Sequence, residues 1–132
     1  MIVLDASAVV ELLLDTVAGR RVAILIDDAA TAVHVPHLVD VEVLSVLRRF
    51  VREQVIDEEE AAAAIENLLA LDLQRHSHEA LLERAWALRK NVTAYDGVYV
   101  ALAEALRATL VTCEARLGRA AGVNARIEVV PF

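Results

Sequence analysis

Short β-forming runs alternate with stretches of helical periodicity along this chain of 132 residues, and that alternation limits its fold more than any other feature. Ile2-Val3-Leu4, Ala32 to Val35, Asp72-Leu73-Gln74, Thr109-Leu110-Val111 and Ile127 to Val130 read as strands, the third weakly. Most of these runs are continuously apolar instead of alternating, the pattern of strands covered on both faces. Between them, helices are expected from about Ala6, over Val17 to Ala30, Leu38 to Arg52, Asp57 to Leu71, Glu79 to Lys90, Ala94 to Arg107 and Ala115 to Ala121, with Gly122 as a stop. In 94–107, Tyr95, Val98, Tyr99, Leu102 and Leu106 form one apolar stripe, whereas 38–52 is apolar around most of its circumference, as for a helix sandwiched between layers. Repeated β-α units predict a three-layer α/β/α sandwich around a central parallel sheet of four to five strands, as a single domain over 1–132. With 58 % apolar residues, a chain this long buries roughly two-thirds of its unfolded surface, which excludes intrinsic disorder.

Charge is segregated. The net −7 comes from −2 over residues 1–52, −8 over 53–83, +4 over 84–126 and −1 at Glu128. The acidic run at Asp57 to Glu60 sits where a helix should start and complements its dipole. The longest apolar run, Val98 to Ala103, is far short of the roughly 20 residues of a membrane span, and Asp5 interrupts the N-terminus before any signal-peptide core. The lone Cys113 reads as a packed residue and fits a reducing compartment, so a soluble, cytoplasmic protein without a membrane partner is expected.

Sites in open α/β sheets form at the carboxyl ends of the strands. Four acids fall there: Asp5 after the first strand, Glu42 about two turns into the helix after Val35-Pro36, Asp96 in the first turn of the helix opened near Thr93, and Glu114 after Leu110-Val111-Thr112. Crowded carboxylates repel, and a divalent cation compensates them; oxygen ligands suit Mg²⁺ or Mn²⁺. Each acid also has a local explanation. Asp5 or Ser7 can cap a helix, Asp96 and Glu114 can serve helix dipoles, and Glu42 can lie on a thin exposed strip, with Ser45 and Arg49 on its face. Arg49 is placed to pair with Glu42 or to contact phosphate. No glycine-rich phosphate loop is present, and Ser7 lacks His-Asp partners at a recognisable spacing. His76-Ser77-His78 reads as a polar turn, and His34 and His37 as loop residues.

The segments Met1 to Ala8, Val35 through Glu42 to Arg49, Tyr95 to Ala103 and Leu110 to Leu117 together resemble the PIN-domain ribonucleases, specifically the VapC toxins of bacterial type II toxin–antitoxin pairs. The likeness runs the length of the chain in the family's order. It implies a PIN-like sheet whose four acids, Asp5, Glu42, Asp96 and Glu114, bind one or two Mg²⁺ or Mn²⁺ ions and cleave RNA, as in a structured loop, by metal-activated water. Asp5, Glu42 and Asp96 match the family's first three acids, while Glu114 stands where Asp is usual, which bears on a second metal. Ser45 stands where Asn is frequent; Thr112 matches a common Thr and is implied to orient a ligand, with Ser7 and Arg49 as further supporting residues. A homodimer and a VapB-like antitoxin covering the groove are implied as partners. Two other readings are a catalytically impaired PIN domain serving as an antitoxin-binding module, suggested by Glu114, and an acidic-site phosphatase of small molecules.

Overall fold

In the computed structural model, which describes residues 1–27 and 31–132, five strands form one parallel sheet. In chain order the elements are β1 (Ile2–Leu4), α1 (Ala6–Leu13), α2 (Val17–Ile26), β2 (Val33–Pro36), α3 (Leu38–Arg52), α4 (Glu58–Ala70), β3 (Leu73–His76), a 3₁₀ turn (Glu79–Leu81) running into α5 (Leu82–Ala87), α6 (Ala94–Leu106), β4 (Thr109–Thr112), α7 (Ala115–Gly118) and β5 (Ile127–Val129). Spatially the strands run β3-β2-β1-β4-β5, with Ile2 opposite both Val33 and Thr109.

This order explains the three layers. The chain steps from β1 to β2 to β3 in one direction, then returns past β1 to β4 and β5. Parallel crossovers are right-handed, so reversing direction moves the connecting helices to the other face. Accordingly α1 packs against α2 and α3, and α3 against α4, on one side, while α5 packs on α6, which spans β1, β2 and β4 on the other. The reversal lies between β1 and β4. There the loops leaving two adjacent strands diverge and open a crevice at their carboxyl ends. Val3, Leu4, Val35, Leu110 and Val111 form the buried centre of the sheet, covered by Val9, Val39 and Val43 and by Tyr99, Val100 and Ala103.

Local chemistry sets most boundaries. Asp57 and Glu60 form a capping box at the start of α4, Thr16 caps α2 and Thr93 caps α6, each such cap typically contributing about 1 kcal/mol. The helix expected over 17–30 is observed as far as Ile26, and residues 28–30 lie outside the described residues. The one expected over 79–90 opens as a 3₁₀ turn and stops at Ala87, where the Leu88 amide closes back on Arg84 and Ala85. The one expected to reach Ala121 ends at Gly118, because the next amides take i−3 carbonyls and tighten the chain.

Three expectations need correction. Helix α3 is not enclosed: it lies in an outer layer, so Val39, Val43 and Leu47 point inward while Val41 is 65 % exposed. In α6 the buried set is the continuous run Gly97–Ala103, since this helix lies across the sheet; Tyr95, placed on the apolar stripe, points outward at 60 % exposure. His34 keeps to the strand expected over Ala32 to Val35 and is not a loop residue, and His76 ends a strand where a polar turn is expected. Parallel pairing of β2 with β3 sets His34 Nδ1 2.9 Å from His76 Nε2, leaving buried His34 Nε2 without a hydrogen-bond partner among the described residues. His78 follows the strand and its Nε2 accepts from the Leu38 amide at the start of α3. No helix among the described residues is long and apolar enough to cross a membrane.

Candidate active site

Asp5 is the first residue after β1 and sits over the crevice, 4 % exposed. One carboxylate oxygen, Oδ1, accepts from the Ala8 amide at 3.0 Å, capping α1, and from Ser7 Oγ at 2.7 Å. The other, Oδ2, accepts from Thr112 Oγ1 at the end of β4. The network continues through Cys113 N to Ser7 Oγ at 2.9 Å and Glu114 N to Thr112 Oγ1 at 3.0 Å. Burial raises the pKa of Asp5, opposed by the bonds from Ser7, Thr112 and Ala8, and the charge of Asp96 raises it further.

Glu42 lies in the second turn of α3 and reaches across the layers to α6, where Tyr99 Oη donates to Oε1 at 2.6 Å. Its pKa is raised chiefly by burial; the Tyr99 bond lowers it, and Asp5 and Asp96 raise it again. Burial and the Glu42 carboxylate in turn push the Tyr99 hydroxyl far up, so it stays a protonated donor. Asp96 stands in the first turn of α6, its amide bonded to the capping Thr93 Oγ1 at 3.1 Å and its Oδ2 3.2 Å from Arg116 Nη2 on α7.

The crevice therefore brings together Asp5, Glu42 and Asp96, three acids from segments separated by more than thirty residues, close enough that Asp96 raises the pKa of Asp5 and that both raise that of Glu42. Ser7 and Thr112 hold Asp5 directly. Glu114 joins the network through its amide only; its carboxylate makes no hydrogen bond or ion pair among the described residues. Ser45 lines a groove of about 380 Å³ beside Glu42, with Ala6, Val41 and Tyr95. Arg49 does not pair with Glu42; it is exposed and lies over the Phe50 ring at 5.4 Å. Cys113 is buried, with its thiol pushed up to about 11 by burial and by the charges of Asp5, Glu11 and Glu114, which leaves it a poor nucleophile.

Among the described residues, no three His, Cys, Asp or Glu side chains are gathered tightly enough to ligate one ion together. The donors nevertheless suit a hard cation. They are all oxygens, the charges of Asp5 and Asp96 both disfavour ionised Glu42, and Mg²⁺ commonly takes only one or two carboxylates and keeps its waters. A soft or nitrogen-preferring metal has no donor set here.

Two residues of this site escape sequence reading. Tyr99 counts as apolar in a periodicity analysis, although a buried tyrosine needs a partner for its hydroxyl, and Asp96 three positions earlier marks its surroundings as polar. Arg116 carries no local signal, because its partner is twenty residues away on another element. Replacing Tyr99 with Phe is expected to remove the one bond among the described residues that favours ionised Glu42, at a cost of about 1–2 kcal/mol at neutral pH, measurable by urea denaturation. The acidic limb of any activity dependent on Glu42 is expected to move to higher pH; an unmoved limb would show that Glu42 titrates outside the active form.

A PIN domain family model matches residues 2–123. The chain is 45 % identical over 130 residues to Ribonuclease VapC12 of Mycobacterium tuberculosis (strain H37Rv), covering 98 % of this chain and 99 % of that one. It is 40 % identical over 131 residues to Ribonuclease VapC9 of the same strain, covering 99 % of both. Among solved structures it resembles M. tuberculosis VapC20, described as a sarcin–ricin loop cleaving toxin, with a TM-score of 0.69, 16 % identity, and 93 % and 96 % of the two chains covered. It also resembles VapBC2 from Rickettsia felis bound to a promoter DNA fragment, with a TM-score of 0.70, 17 % identity, and 97 % and 98 % covered. At such identities the structural likenesses speak to the fold alone.

Proposed function

Because this chain belongs to the PIN-domain family and, within it, to the VapC ribonucleases, we propose that it is the endoribonuclease toxin of a toxin–antitoxin pair, cleaving a structured RNA loop with Mg²⁺ or Mn²⁺. The observation that carries the reading is the convergence of Asp5, Glu42 and Asp96 at the reversal point of the sheet, with the charges of Asp5 and Asp96 both raising the pKa of Glu42. That arrangement is unfavourable for a fold left to itself and useful for one that takes a cation. A bound ion supplies Lewis acidity and a water more easily deprotonated at neutral pH.

The chain's residues provide the rest. Asp5 and Asp96 are the proposed direct ligands, with Glu42 holding the ion directly or through water. Ser7, Thr112 and the Ala8 amide fix the Asp5 carboxylate in one orientation, so little ordering remains for the bound state. Tyr99 does the same for Glu42. Glu114, whose carboxylate has no such bond among the described residues, favours one well-held ion over two. A VapB-like antitoxin is the proposed protein partner, as the toxin–antitoxin complexes of this fold suggest, with a homodimer as the proposed assembly and the cytoplasm as the proposed compartment.

The raised pKa values of Asp5 and Glu42 fix the sign of a test. An acid whose pKa is higher in the folded than in the unfolded chain binds more protons when folded, so stability falls as pH rises through the folded value. The penalty is full above the raised values and is relieved as pH falls through them toward the ordinary carboxylate range. Without metal, the melting temperature is therefore expected to rise as pH is lowered from neutral into the mildly acidic range. Mn²⁺ at neutral pH is expected to raise it as well, by binding the folded chain alone, and RNA cleavage is expected to stop on chelation. A chain whose melting is indifferent to Mn²⁺, and which cleaves RNA equally well in a chelator, would refute the metal-dependent reading.

A further inference from the structure

Arg116 is, among the described residues, the only cation within ion-pair distance of the three crevice acids. Its contact with Asp96 differs from the other partly buried pairs. Arg84 grips Glu104 through three contacts of 2.9 to 3.1 Å and also donates to the Gly122 carbonyl, while Arg75 holds Asp40 through two bonds of 2.8 and 2.9 Å. Arg116 reaches Asp96 by one nitrogen at 3.2 Å. The arginine side chain is 65 % exposed and the aspartate 19 %, so one partner is held in the crevice and the other is largely in water. Forked arginine–carboxylate pairs are strong and directional, whereas single-point contacts at the surface are weak and readily exchanged.

The backbone beneath Arg116 is, by contrast, fixed. Leu117 is buried, and Gly118 lies so close to β5 that a Cβ there would stand 2.5 Å from Val129 Cγ2. A rooted arginine with a loosely held guanidinium thus sits at the lip of the crevice, with most of its five donors unused among the described residues. A cation entering beside Asp96 would compete for the oxygen that Arg116 occupies and would repel its charge. The displaced guanidinium would then lie beside the place where an RNA phosphate must approach the metal.

Resting on the ribonuclease reading, we propose that Arg116 is an exchangeable positioning residue: it neutralises Asp96 while no metal is bound, and transfers to a phosphate of the RNA when metal and substrate arrive. The contact with Asp96 and the contact with phosphate are alternatives, so removing the guanidinium has opposite effects on the two ligands.

The test uses the full chain, Arg116→Gln and Arg116→Lys. Mn²⁺ affinity is read by electron paramagnetic resonance without RNA, and RNA affinity by fluorescence anisotropy on an uncleaved phosphorothioate-linked oligoribonucleotide with Mn²⁺ present. Arg116→Gln is expected to bind Mn²⁺ about two- to fivefold more tightly, as the loss of a competing exposed ion pair implies. It is expected to bind RNA about fivefold more weakly, with the slope of affinity against salt reduced by about one phosphate contact. Arg116→Lys, which keeps the charge but not the fork, is expected to retain most of the salt slope. Mn²⁺ affinity that is unchanged or weakened in Arg116→Gln overturns the proposal, as does RNA affinity equal to that of the unmodified chain. If the unmodified chain binds neither ligand, the ribonuclease reading fails and the proposal with it; if it binds both and Arg116→Gln behaves like the unmodified chain, only the role of Arg116 fails.

Discussion

Asp5→Asn is expected to lower RNA cleavage by about a thousandfold or more and to abolish growth inhibition, while the purified chain stays folded. The substitution is informative because its structural cost is small. Asparagine is as good a helix cap as aspartate, so the bond from the Ala8 amide survives. The hydroxyls of Ser7 and Thr112 can rotate to meet an amide in place of a carboxylate, since each both donates and accepts. The buried negative charge, which the raised pKa marks as costly, is gone. The melting temperature without metal is therefore expected to equal or exceed that of the unmodified chain, and its response to Mn²⁺ to shrink. Asp96→Asn is expected to lose cleavage similarly; it also frees Arg116. Full cleavage and toxicity in both variants, with circular dichroism unchanged, would remove these acids from the proposed mechanism.

The largest expected effect on stability lies far from the chemistry. Gly19 is in the first turn of α2, where the tight connection through Leu14, Asp15 and Thr16 folds this helix back on α1. A Cβ at this position would lie 1.9 Å from the Glu11 carbonyl oxygen and 2.4 Å from its carbon. Those are backbone atoms of α1, so no side-chain rotation relieves the clash; the two helices must separate. In an unhindered helix, alanine for glycine would stabilise by up to about 1 kcal/mol. Here the forced movement is expected to reverse the sign, with a net loss of about 2–3 kcal/mol in urea unfolding. Because Asp5 caps α1, weaker Mn²⁺ binding is expected alongside. A Gly19→Ala chain as stable as the parent would mean that α1 and α2 part at little cost.

Much of this was legible in the sequence, and the reason is range. Capping, helical periodicity and the continuous apolar character of buried strands act over a few residues. They placed the five strands and most of the helices, and put Asp5, Asp96 and Glu114 at strand ends or helix starts. The two readings of Asp5, helix cap or site acid, are not rivals in the structure. One oxygen caps α1 while the other turns to Thr112, and local spacing reports only the first. The errors share a cause. The apolar stripe through Tyr95 and the apolar circumference of 38–52 follow from neighbours in sequence, but exposure depends on which layer lies above an element. Tyr99 was read as apolar because periodicity weighs its ring and not its hydroxyl. A place on the same helix face offers Arg49 either Glu42 or a phosphate, and of the two the structure excludes the pairing with Glu42, since the guanidinium turns to the neighbouring Phe50.

The sequence by itself determined the architecture of this protein, its family and a short set of candidate acids, because these follow from local patterning and ordered motifs. Only the tertiary structure decided which acids meet. The order β3-β2-β1-β4-β5 lays residue 5 beside residue 112, and α6 across the sheet brings Tyr99 to Glu42. Those contacts are set by strand order and by helix packing across layers, which act between segments distant in the chain and leave no periodic mark along it. For the same reason Glu114, matched by motif, contributes its amide and not its carboxylate to the network, while Arg116 supplies the charge that meets Asp96.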